Sequence, residues 1–197
     1  MKLSLYKIAC FFTQQEDCMN AVCTEVIMVY GQLTLPNIKS LRDQTERALQ
    51  RLEKERTEKE LIFVFNSQGG LFCPDLMSLI ERLWETKVAT AAKIYRADSA
   101  ASWLCLAMKR REIDKHGSFA FHNAYIETSA GHVNLETGVI SPIMRKKLAM
   151  TKANLSRIME KSGITLNSDM KVKLGTKDRL SLTLEQCIDT NIVSRIT

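Results

Sequence analysis

Val26-Ile27-Met28-Val29-Tyr30 is a continuous apolar run closed by Gly31, the pattern of a strand buried on both faces. Beyond Leu35-Pro36-Asn37, the residues Ile38, Leu41, Ala48, Leu49 and Leu52 recur at helical intervals among charged neighbours. That spacing predicts an amphipathic helix that frays in the charged stretch 53–60. Residues 61–65 read as a second strand, ended by the polar turn Asn66-Ser67-Gln68-Gly69-Gly70. Pro74 suits the first turn of a helix carrying Leu76, Met77, Leu79, Ile80, Leu83 and Trp84. Residues 88–95 predict a third strand, 100–111 a third helix, and the alternating stretch 118–126 a fourth strand. Strands alternating with helices in this way predict an α/β fold with a parallel sheet and helical crossovers. Ligand sites in such sheets gather at the carboxyl edge of the strands. The Asn66–Gly70 turn and residues 99–102 both fall there.

The last third of the chain changes pattern. Over 142–161, Met144, Leu148, Leu155, Ile158 and Met159 form one apolar stripe on a long helix that ends near Gly163. Two readings fit that stripe: a contact between subunits, or packing on the protein's own sheet. Residues 164–176 are polar and weakly patterned, 183–190 predict a short helix, and Ile192-Val193 is strand-like. There is no internal repeat, low-complexity tract or linker, so a single domain over 1–197 is expected.

With 197 residues, 45% apolar and 25% charged, the chain has the composition of an ordinary globular protein able to bury a core. Six cysteines are scattered, mostly inside apolar runs, and read as reduced, small core residues. Lys2 and the apolar patch 8–12 run directly into Thr13-Gln14-Gln15-Glu16-Asp17, so no secretory signal of normal length is expected. No stretch is apolar enough to span a bilayer, and a cytoplasmic location is the default expectation. There is no Cys-x-x-Cys or His-Glu-x-x-His, and His116, His122 and His132 do not repeat at helical spacing. Neither a metal site nor a cofactor is expected. The net charge of +6 raises nucleic-acid binding. The basic runs Lys109-Arg110-Arg111 and Arg145-Lys146-Lys147, however, lack interleaved aromatics and read as solvated helix faces.

Nucleophilic catalysis by serine requires a hydroxyl, a base within reach, a group orienting the base, and donors aimed at the developing oxyanion. In Ala97-Asp98-Ser99-Ala100-Ala101-Ser102-Trp103 a strand passes into a helix. Backbone N–H groups of a first helical turn lack intrahelical partners. The N–H of Trp103 could thus face a carbonyl attacked by Ser102, with the paired glycines of the neighbouring strand supplying a second donor. Taken singly, each residue also has a plain structural reading: Ser102 as a small residue near a helix start, His122 as a satisfied core histidine, and Asp178 as a surface charge.

The segments VYGQLT, FVFNSQGG, ADSAASW, FAFHN and DRLSLTLEQCIDTNIV stand in order along the chain. In that order and at similar spacings they resemble the landmarks of the Clp protease proteolytic subunit. The resemblance runs from about Val26 to Ile196. It implies a ClpP/crotonase-like spiral of β-β-α units with a protruding long handle helix, an N-terminal segment over about 1–24 and a handle region over about 138–176. It implies Ser102 as nucleophile, His122 as general base and Asp178 as the group orienting it. It also implies Gly70 and Trp103 as oxyanion-hole donors. The implied activity is that of a serine endopeptidase acting on peptides or unfolded proteins within a homo-oligomeric ring, a heptamer or stacked heptamers. A separate AAA+ ATPase would feed the ring, since the chain has no P-loop. Neither nucleic acid nor membrane is implied as a partner.

The chain departs from the family at several places. Gln68 replaces a proline, Asp98-Ser99 stands where Gly-Gln is usual, and bulky Trp103 follows Ser102. The stretch from Ser102 to His122 is short, and the glycine-rich substrate strand after His122 is replaced by Asn123-Ala124-Tyr125 and beyond. Two alternatives therefore stay beside the peptidase: a catalytically silent ring subunit and a crotonase-type acyl-CoA enzyme.

Overall fold

The computed structural model describes residues 22–122, 124, 126–128, 131–133, 140–175 and 179–197. It opens with β1 (Cys23–Leu33), α1 (Leu35–Leu52), β2 (Lys59–Gly70), α2 (Pro74–Glu85), β3 (Ala89–Asp98), α3 (Ala100–Cys105) and β4 (Arg110–Phe121). A small hairpin follows, β5 (Ile126–Thr128) with β6 (Gly131–Val133). The long α4 (Pro142–Lys161) comes next, then α5 (Ser168–Gly175), β7 (Leu180–Leu182), α6 (Leu184–Asp189) and β8 (Arg195–Ile196).

The main sheet has six strands in the order β1-β2-β3-β4-β7, with β8 also paired to β4. Strands β1 to β4 are parallel, β7 runs antiparallel to the end of β4, and β8 runs parallel to its start. Helix α1 begins with proline in its first turn and turns Ile38, Leu41, Ala48, Leu49 and Leu52 onto β1 and β2. Helix α2 packs on α1, and α3 lies over β2, β3 and β4. Between them they bury Leu61, Phe63 and Phe65 of β2 completely. Burying each such side chain stabilises the fold by ~1.5–3 kcal/mol.

Several expectations change. The run 26–30 is not buried on both faces. Ile27 and Val29 enter the core, whereas Val26, Met28 and Tyr30 are exposed, because β1 is an edge strand whose helices cover one face of the sheet. Asn66–Gly70 is not a turn after β2 but its continuation, paired to Leu33 at Gly70. The helix expected over 100–111 stops at Cys105. The guanidinium of Arg111 takes the carbonyls of Leu106 at 3.4 Å and Met108 at 2.8 Å, holding the turn that follows the helix, while Arg110 and Arg111 enter β4 opposite Ala91 and Ala92. Residues 118–126 split between the end of β4 and the separate β5. The strand-like Ile192-Val193 instead leads into β8. The long helix has the expected bounds. Its stripe divides: Leu148, Leu155 and Ile158 are buried and Met159 is partly buried, whereas Met144 is exposed, as are Ile143 and Met150 outside the stripe. Among the described residues no helix is long and apolar enough to cross a membrane.

Candidate active site

The parallel register brings the carboxyl ends of three neighbouring strands together. Ser67 of β2 lies opposite Ala97 of β3, and Asp98 lies opposite Ala120 of β4. The residues just past those pairs are Gly69, Ser99 and His122.

Ser99, between β3 and α3, has φ 52° and ψ −124°. A side chain in this region costs about 1–3 kcal/mol and persists only where its surroundings impose it. They do so here on three sides. The Ser99 N–H donates to Ala120 O at 2.9 Å. The Ser99 carbonyl accepts from the Ser102 N–H at 3.1 Å, the Trp103 N–H at 3.3 Å and the Ser102 hydroxyl at 2.5 Å. A sharp strand-to-helix turn of this kind holds a serine side chain out of the sheet edge, and Ser99 Oγ lies 2.9 Å from His122 Nε2.

The hydroxyl that meets His122 thus lies one helical turn before the expected Ser102. Ser102 is fully buried and spends its hydroxyl on Ser99 O, whereas His122 reaches Ser99. Residues three apart on a helix are separated by ~4.5 Å along its axis, so one imidazole does not serve both hydroxyls equally. The Trp103 N–H is likewise engaged by Ser99 O rather than open, and the Trp103 ring packs on Phe121, 5.2 Å between centroids. Asp178 lies outside the described residues. Its neighbour Arg179 is described and donates to the Asp98 carboxylate at 2.8 Å.

The glycine pair is divided between two neighbours. Gly69, at φ +83°, faces the elbow: a Cβ there would stand 2.2 Å from Asp98 O and 2.5 Å from Ser99 Cβ. Gly70, at φ +145°, faces β1, where a Cβ would stand 2.5 Å from Leu33 O. Buried Ser67 fixes this strand end, donating to Gly31 O at 2.6 Å and accepting from the Gly69 N–H at 3.1 Å. Sequence reasoning gave the glycines to substrate approach alone and missed Ser99. The available signal was Ala100-Ala101 behind Ser99: small residues that crowd neither the turn nor its donors, unlike Trp103 behind Ser102. Counted from Ser99 rather than Ser102, the segment before His122 is also longer by a helical turn.

A cavity of about 340 Å³ lined by Trp84, Lys109, Arg111 and Lys161 lies at the other end of the strands and shares no residue with this site. Its Arg111 is already committed to five backbone carbonyls. Among the described residues no three His, Cys, Asp or Glu side chains cluster to hold a metal.

No protein-family model matches the chain, and no curated protein matches it in sequence. Among solved structures the chain is similar to a serine-to-alanine mutant of the 1510-N membrane-bound stomatin-specific protease. The TM-score is 0.64 at 19% identity, covering 91% of this chain and 81% of the other. The chain has a ClpP-like fold. At that identity the likeness reaches the architecture and no further. The ClpP-like sheet accounts for the convergence of β2, β3 and β4 at one edge, and Ser99 and His122 stand where those strands end.

Proposed function

We propose that the protein is a serine peptidase with Ser99 as nucleophile and His122 as general base. The observation that carries this reading is the strained Ser99 backbone holding Oγ 2.9 Å from His122 Nε2. His122 takes the hydroxyl proton as Ser99 Oγ attacks the scissile carbonyl. The tetrahedral oxyanion meets the N–H of Ala100, which has no intrahelical acceptor in the first turn, and the N–H of Gly70. Successive N–H groups of an extended strand point to opposite edges. With the Leu71 N–H spent on Leu33 O at 2.8 Å, that of Gly70 belongs to the elbow side. Each such donor contributes ~3 kcal/mol of transition-state stabilisation. His122 then protonates the leaving amine, and water releases the acyl group from Ser99 by the same route in reverse. In this reading Asp178 orients His122. The solved structure of similar fold is a protease, and this reading gives the chain the same reaction class.

Within this reading the substrates are peptides or unfolded chains, cleaved inside a homo-oligomeric ring supplied by a separate ATPase. The exposed apolar side chains of β1 and of the first half of α4 support self-association. The test is labelling with a fluorophosphonate followed by peptide mapping. The adduct is expected on Ser99, retained in Ser102→Ala and lost in Ser99→Ala. An adduct on Ser102, or none in assembled protein, overturns the assignment.

A further inference from the structure

Asp98 directly precedes Ser99 and is nearly fully buried, yet both of its carboxylate oxygens are engaged. Arg96 Nε donates to one at 2.7 Å and Arg179 Nη2 to the other at 2.8 Å. The two arginine side chains are about half exposed, 45% and 52%, so the buried member of the triad is the carboxylate. A buried charge is tolerated only when partners hold it, and these partners come from different strands. Arg96 is on β3 itself. Arg179 leads into β7, where Leu180 pairs with Phe121, the residue before His122.

The contacts form a closed circuit. Ser99 is covalently next to Asp98; Asp98 binds Arg179; Arg179 is next to Leu180; Leu180 pairs with Phe121; and Phe121 is next to His122, which meets Ser99 Oγ. The Ser99 N–H to Ala120 O bond closes the other side of the same strand pair. The antiparallel β7 pairing spans only Phe119 to Phe121, three residues, and is a short hold for a segment beside the reacting groups.

We propose that Asp98 is a positioning residue, a latch that fixes Ser99 relative to His122 by tying the elbow to the entry of β7 through Arg179. This rests on the serine-peptidase reading above. The latch does not touch substrate. Its loss loosens the Ser99 to His122 distance rather than substrate binding, and a misplacement on the order of 1 Å costs up to about 100-fold in rate.

The experiment measures fluorophosphonate inactivation against probe concentration for the wild type, Asp98→Asn, Arg179→Gln and the double variant, with circular dichroism showing that each is folded. Asp98→Asn is expected to lower the limiting inactivation rate by about 10-fold or more, with the half-saturating probe concentration unchanged. Arg179→Gln, at a side chain about half exposed, lowers it similarly. The double variant is little worse than either, and Arg179→Lys recovers part of the loss. Wild-type rates in both single variants overturn the latch alone. So do additive losses, or an effect confined to the half-saturating concentration. A wild type that takes no label on Ser99 overturns the nucleophile assignment, and the latch with it.

Discussion

Gly69→Ala and Gly31→Ala differ in one respect that the structure makes measurable. Both glycines sit at positive φ, +83° and +69°. A side chain there costs about 1–2 kcal/mol from its own backbone. At Gly31 an added Cβ meets nothing within 4 Å, so that cost is the whole expectation. At Gly69 the same Cβ would stand 2.2 Å from Asp98 O, where ordinary contact begins at 3.4 Å. The shortfall, 3.4 minus 2.2 or 1.2 Å, falls on backbone that is itself pinned by the Ser99 N–H to Ala120 O bond. The end of β3 must therefore separate from β2, at a total of ~3–5 kcal/mol, the range reached when a strained, tightly packed site is disturbed. Because the atoms displaced are those of Asp98, Ser99 and Ala100, the folded fraction of Gly69→Ala should also react with a fluorophosphonate ~100-fold more slowly. Urea unfolding gives the first quantity, and inactivation rates at low denaturant give the second. If Gly69→Ala is no less stable than Gly31→Ala and labels at the wild-type rate, the approach of β2 to the elbow does not position the nucleophile.

Other outcomes follow from burial and charge. Burial pushes the Cys105 and Cys187 thiols from the ordinary 9.0 up to about 12. Being neutral in the fold, these thiols contribute stability that is complete below about pH 9 and is lost as pH rises toward 12. Urea midpoints should therefore fall over that range, and less steeply in Cys187→Ala. At pH 8 a thiol reagent should modify Cys23 and Cys73, which are partly exposed, well before Cys105 and Cys187. Arg111 is buried enough to lower its pKa, and its guanidinium joins Ile192, Leu106, Met108, Ser162 and Asn191 through their carbonyls. Arg111→Ala should cost ~3 kcal/mol or more in urea unfolding, since each stranded carbonyl costs ~1–3 kcal/mol, and Lys should recover less than half of it. For the proposed ring, light scattering should give a multiple of the 22.4 kDa chain, and Met150→Glu with Tyr30→Glu should reduce it. A monomer at assay concentration would remove the ring from the proposal.

Much of the frame was legible in the chain because it depends on local periodicity. The apolar spacing that drew α1 and α2 is the one that buries Ile38, Leu49, Leu76 and Ile80, and Pro142 and Gly163 bracket α4 as punctuation should. The carboxyl edge of the sheet was also readable, since strand–helix order alone sends Gly69 and residues 99–102 to the same rim. Which serine occupies the centre of that rim was not. Ser99 and Ser102 stand three residues apart in one strand-to-helix stretch, and the small Ala100-Ala101 behind one against Trp103 behind the other is a local hint that does not say which hydroxyl a histidine reaches. That decision belongs to β4, whose parallel pairing sets Ala120 opposite Asp98 and so delivers His122 to Ser99. The same holds for Asp98, which the sequence showed only as a departure from the pattern it resembles. Its two arginine partners lie 2 and 81 residues away along the chain, and only the folding of β7 against β4 brings the distant one to it. Periodicity is a property of neighbours in sequence. A strained elbow, the histidine that meets it and the arginine that reaches Asp98 are properties of strand register, and the tertiary structure alone sets that.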